Sequence, residues 1–121
     1  MKHNENVIKG KQGENIAQEY LKKCGYKIID NNWHYSKNAE IDIIAEDKDV
    51  IVFVEVKTRT TLNYGHPFEA ISKDKIEKIN NAVLAYLKLC EKTYKSYRID
   101  GIAITGLKNP KIEHLKDIGQ Y

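Results

Sequence analysis

The chain has 121 residues, 41% hydrophobic and 31% charged, with 20 Lys and Arg against 17 Asp and Glu for a net charge of +3. That length makes a single domain able to bury roughly two thirds of the surface its unfolded form exposes, and the composition reads as soluble and globular, with no apolar run near a membrane span. The mild positive balance permits a polyanionic partner without requiring one.

The N-terminus, MKHNENVIKGKQ, lacks the apolar region of an export signal, so a cytoplasmic location is expected. Residues 1–8 are polar and read as a flexible segment before one domain over 9–115, with 116–121 as a tail. Helical spacing of Ile16, Ala17, Tyr20, Leu21 and Cys24 predicts a helix from Lys9 to Cys24, ended by Gly25 as a left-handed cap. Glu14 falls on the margin of its buried stripe, either as an acidic residue favoured by the helix dipole or as a carboxylate reaching the sheet. GKQGEN lacks the Gly-Lys-Ser/Thr ending and the preceding strand of a phosphate loop.

Tyr26 to about Trp33 reads as a strand whose pattern Asp30-Asn31-Asn32 breaks, with Trp33 and Tyr35 as packing residues and Ser36 to Asn38 as a turn. AEIDIIA and VIVFVEVK then form a hairpin closed by Glu46-Asp47-Lys48-Asp49. After Lys57 the segment TRTTLNYGHPFEAI loses periodicity; a long loop carrying Arg59, Tyr64 and His66 is suited to binding. Ser72 caps a second helix with Ile76, Ile79, Val83, Tyr86, Leu87 and Cys90 on its apolar stripe, and Lys73, Lys75 and Lys78 near its start are either solvated lysines or phosphate contacts. SYRIDGIAI reads as a further strand with Gly101 marking a bulge, and Lys111 to Leu115 as one short extended piece. Cys24 and Cys90 lack zinc or redox spacing and are expected to be buried reduced thiols. The four histidines are scattered, and none is assigned a metal.

The hairpin carries the chemistry. VIVFV is apolar on both faces, as a covered central strand should be, yet Glu55 and Lys57 continue the face of Ile51 and Phe53. An even-numbered loop puts Asp42 on the same side of the sheet, so Asp42 and Glu55 should converge. Buried ions cost several kcal/mol unless paired or metal-bound, so the group is either a compensated ion cluster or a site. Hard oxygen ligands at this density suit Mg²⁺, and Lys57 on the same face would orient a water or stabilise a charged transition state.

Glu14 on a leading helix, then Asp42, then Glu55-Val56-Lys57 at a strand end resembles the PD-(D/E)xK nuclease superfamily. GENIAQEYLKKCGY, NAEIDIIAED, VFVEVKTR, YGHPFEAI and YRIDGIAI together look like the YraN family of predicted endonucleases, akin to archaeal Holliday junction resolvases. The resemblance implies an α/β fold, a restriction-endonuclease-like mixed sheet flanked by helices in the order α-β-β-β-α-β. It implies Asp42, Glu55, the Val56 carbonyl and Glu14 as ligands of Mg²⁺ or Mn²⁺, Lys57 as the catalytic lysine, and Lys75 as a phosphate contact. Ile41 stands where the superfamily's proline would be.

Three functions follow as expectations: a divalent-metal-dependent nuclease acting on branched or single-stranded DNA, a non-catalytic nucleic-acid-binding module, or a structural or protein-interaction domain. DNA contacts are expected from Arg59, Tyr64, His66, Lys73, Lys75 and Lys78. A homodimer is suggested only by analogy to the resolvases.

Overall fold

The twofold apolar segment VIVFV does become the centre of the molecule. A computed structural model describes residues 2–37, 39–60 and 71–119, which form α1 (Lys2–Lys23), β1 (Lys27–Ser36), β2 (Ala39–Asp47), β3 (Val50–Arg59), α2 (Lys73–Leu89), β4 (Ser96–Thr105) and β5 (Lys111–Leu115). The strands make one sheet in the order β1-β2-β3-β4-β5, with β3 and β4 parallel and the other neighbours antiparallel. The expected order therefore holds, and the Lys111–Leu115 piece adds an edge strand.

A helix covers each face of the sheet. Ala17 and Leu21 of α1 pack on Ile43, Ala45, Val52, Val54, Ile102 and Ile104, while Ile79, Ala82 and Val83 of α2 pack on Ile44, Ile51, Phe53 and Ile99. Along β3 alternate residues face opposite helices, Val52 and Val54 toward α1 and Ile51 and Phe53 toward α2, which is why β3 has no polar face until Glu55. Full burial of a side chain such as Phe53 or Ile51 stabilises by about 1.5–3 kcal/mol.

Local signals set the helix ends. Gly25 adopts φ +92° and its N–H donates to Lys22 O while that of Tyr26 donates to Leu21 O, the paired bonds of a Schellman ending. At α2, Ser72 Oγ accepts from the Lys75 N–H at 3.2 Å. α1 starts at Lys2, before the expected Lys9, through residues that contain no proline to stop a helix.

Several boundaries differ from the sequence reading. Asp30-Asn31-Asn32 does not end β1; a register shift between Ile28 and Asp30 and a positive φ of 50° at Asn32 absorb the irregularity inside a longer strand. Gly101 is no bulge, since the β3–β4 register runs unbroken from Val50↔Ser96 to Arg59↔Thr105. Cys24 is exposed, because the buried stripe of α1 stops at Leu21 and the helix itself at Lys23, and Cys90 is half-buried at the α2 cap, its Sγ 3.5 Å from Leu87 O. Among the described residues no helix is long and apolar enough to cross a membrane.

Candidate functional site

The β2–β3 turn is shorter than the four residues expected. Asp47 pairs with Val50, leaving Lys48 and Asp49 as the loop, with Lys48 at φ +58°. Both loop lengths are even, so the facing of side chains survives the change. The register runs from Asp47↔Val50 to Ile43↔Val54 and stops one residue short of Asp42 and Glu55, whose carboxylates lie within electrostatic reach of each other.

The pleat breaks there. Ile43 packs under α1 and Ile41 under α2, although they are two residues apart and a regular strand would put them on one face. In place of the next ladder bond, the Val56 N–H donates to Asp42 Oδ2 at 2.8 Å. The N–H and carbonyl of one strand residue point to the same side, so the Val56 carbonyl also projects toward Asp42.

Glu55 is buried, and its β4 neighbour is Gly101, which brings no side chain to that face. Two ammonium groups approach one of its oxygens: Lys57 Nζ at 3.4 Å and Lys75 Nζ at 3.5 Å, both to Oε1. Lys75 precedes the buried Ile79 and Ala82 by four and seven residues, so the packing of α2 turns it toward the sheet.

Glu14 arrives from the other helix. Gly13 lets α1 come close to β3 at Thr58, and Asn32 Nδ2 donates to Glu14 Oε2 at 3.0 Å. Burial raises the Glu14 pKa, and the charges of Glu40 and Glu55 raise it further against the pull of Lys11. Asp42 is enclosed on most sides while keeping an edge open to water; its pKa is raised well above the carboxylate range by burial and then by Glu55, with Glu14 and Glu40 adding to the effect and the Val56 N–H opposing it. Such mutual repulsion is what a cation in this place would relieve.

Asp42, Glu55, Val56, Lys57 and Lys75 are thus adjacent, with Glu14 within electrostatic reach. Lys73 and Lys78 are exposed on α2 and are not brought to this group. Arg59 lies two residues beyond Lys57 on the same strand, and its Nε is buried without a hydrogen-bond partner among the described residues. Tyr64 and His66 lie outside the described residues.

Two contributors were missed in the sequence. Glu40 shares the alternation of Asp42 and was readable as a further charge. Asn32 looked like a strand breaker, and nothing in the sequence paired it with Glu14.

Among the described residues, no three His, Cys, Asp or Glu side chains gather as a metal site. This bears on the form of any ion: Mg²⁺ commonly takes one or two carboxylates and fills its shell with water and substrate phosphate. Asp42 and Glu55 supply that number, all the donors are hard oxygens, and Asn32 Oδ1, beside Glu14, is a buried oxygen with no hydrogen-bond partner among the described residues. The residues fit a weakly chelated hard ion.

A mixed five-stranded sheet between two helices, with the acidic group on its central strands, is consistent with the restriction-endonuclease-like fold. Residues 13–104 match the family model described as Uncharacterised protein family UPF0102. A UPF0102 protein of Arthrobacter sp. (strain FB24) is 40% identical over 112 residues, covering 91% of this chain and 94% of its own. One from Flavobacterium johnsoniae is 44% identical over 114 residues, covering 89% and 90%, and one from Chloroherpeton thalassium is 44% identical over 101 residues, covering 84% and 78%. The chain belongs to the UPF0102 family, the YraN family that its motifs resemble.

Proposed function

We propose that this protein is a divalent-metal-dependent nuclease that hydrolyses DNA phosphodiesters, with branched or single-stranded DNA as the substrate class. The observation that carries the reading is the meeting of Asp42 with Glu55 at a break in the β2–β3 ladder, beside the ammonium of Lys57. A fold buries two repelling carboxylates at a cost to stability, and a ligand that offsets the cost is the simplest reason to keep them. Asp42 and Glu55, with the Val56 carbonyl, would hold Mg²⁺ or Mn²⁺; bound there, the ion supplies Lewis acidity and lowers the pKa of its water.

The chain's own groups do the remainder. Lys57, fixed on the Glu55 face, stabilises negative charge as it builds on the phosphate. Asp42 is held in place by the Val56 N–H, and Glu14 by Asn32, so neither needs to reorganise during the reaction. Arg59, two residues beyond Lys57 on β3, carries a guanidinium suited to a backbone phosphate. Contacts of this kind read the backbone and shape of DNA rather than base sequence.

The test is a panel of labelled branched, single-stranded and duplex DNA incubated with Mg²⁺ or Mn²⁺. Cutting should appear with metal, disappear with chelator, and be lost in Asp42→Asn, Glu55→Gln and Lys57→Met variants whose circular dichroism is unchanged.

One observation favours a second reading, a nucleic-acid-binding module that does not cut. Lys57 and Lys75 already neutralise Glu55 without an ion. Such a module would bind DNA with steep salt dependence and leave every substrate in the panel intact with either metal.

A further inference from the structure

Lys75 and Lys57 approach the same oxygen of Glu55, but their freedom differs. Lys57 belongs to β3 two residues from Glu55, and its side chain is 24% exposed. Lys75 comes from the first turn of α2, is 38% exposed, and needs only rotamer changes to lift its ammonium off the carboxylate. An ammonium so near a helix N-terminus faces an unfavourable dipole, and Glu55 is the described carboxylate that compensates it. A phosphate at that terminus would be an alternative partner for the ammonium, attracted by the same dipole.

We propose that Lys75 is a counter-ion that stands in for the divalent ion on Glu55 in the free protein and leaves for a DNA phosphate when nucleic acid binds. Metal loading is thereby coupled to DNA binding, and the site stays weakly charged with metal until substrate arrives. This rests on the metal-site reading of Asp42 and Glu55. Linkage makes the coupling reciprocal: metal must raise DNA affinity by the factor by which DNA raises metal affinity.

The experiment is calorimetric titration of the full chain with Mn²⁺, with and without a short single-stranded DNA whose phosphorothioate linkages resist cutting. Wild type is compared with Lys75→Gln and with Lys78→Gln, which removes an equal charge one turn along α2 without touching Glu55. Lys75→Gln should bind Mn²⁺ about 5- to 150-fold more tightly than wild type in the absence of DNA, and DNA should improve the affinity of wild type by a clearly larger factor than that of Lys75→Gln, whose remaining gain is what direct phosphate ligation of the ion supplies. Lys78→Gln should follow wild type. Equal Mn²⁺ affinity in wild type and Lys75→Gln overturns the coupling and leaves the metal site standing, and an equal gain in Lys78→Gln overturns it as a diffuse charge effect. Absence of Mn²⁺ binding in all three proteins overturns both the coupling and the metal-site reading. If Lys75→Gln fails to fold, Lys75→Met is titrated in its place, and the DNA-dependent gain in wild type alone still decides: without it the coupling is wrong.

Discussion

Gly13 of α1 lies over Thr58 of β3 with no room for a side chain between them: a Cβ on Gly13 would stand 1.9 Å from Thr58 Oγ1 and 3.0 Å from Thr58 Cβ. The next residue along the helix is Glu14, so this approach sets how far one carboxylate stands from the others.

Gly13→Ala should therefore act on both stability and site. Overpacking of this kind costs about 1–3 kcal/mol, visible as a lower urea midpoint. Thr58→Ala in the same chain should recover part of the loss, since it removes Oγ1 and leaves only the Cβ. An unchanged midpoint in Gly13→Ala would mean that α1 does not rest on β3 there.

Asp42→Asn should remove cutting and yet make the metal-free protein more stable. The asparagine can still accept from the Val56 N–H, while the repulsion from Glu55, Glu14 and Glu40 disappears. We expect a gain of about 1 kcal/mol, a rise of a few degrees in Tm for a domain of this size, measured by calorimetry in chelator. Because the Asp42 pKa is raised on folding, its charge costs stability above the raised value and costs nothing below the ordinary 3.8. The advantage of Asp42→Asn should accordingly vanish in acid. A less stable Asp42→Asn at neutral pH would make the cluster a structural ion network.

What the sequence disclosed follows from the range of each interaction. Helix caps at Gly25 and Ser72 and the alternation through Asp42, Glu55 and Lys57 are local patterns, and the fold class and the β2–β3 pairing follow from them. Lys75 was readable as inward-facing from its spacing to Ile79 and Ala82. The contacts Asn32–Glu14 and Lys75–Glu55 join residues far apart in the chain, and no periodicity encodes them. Cys24 was misplaced because the apolar stripe was extended one turn beyond Leu21, the last residue of α1 packed on the sheet, into the turn where the chain leaves the helix.

The second charged group, on the α1 face, should behave oppositely to Asp42 in acid. Asp100 is fully buried and accepts from Arg98 Nε at 2.9 Å and the Asp117 N–H at 3.0 Å, and its Oδ2 lies 2.7 Å from His114 Nε2. Burial by itself would raise its pKa, but His114, the Asp117 N–H and Arg98 together hold it below the ordinary 3.8. Its stabilisation is present above that value and is lost as pH falls through the lower folded one. Asp100→Asn should cost about 3–5 kcal/mol at neutral pH, and urea midpoints of variant and wild type should approach each other in strong acid. A constant gap across the series would rule out ionisation as the cause.

The two thiols should be distinguishable in the folded protein. Cys24 is exposed and Cys90 half-buried with its Sγ near two carbonyls. A colourless-to-yellow disulfide reagent should label one thiol fast and the other slowly, and Cys24→Ser should abolish the fast phase. Two equally fast phases would place Cys90 at the surface.

The edge strand β5 has five residues, none fully buried, and His114 is its link to Asp100 and, through Nδ1 at 3.1 Å, to the Tyr20 hydroxyl. The margin of the sheet is thus fastened through one buried carboxylate, and souring the solution until Asp100 takes up a proton should be what unbuttons the C-terminal end.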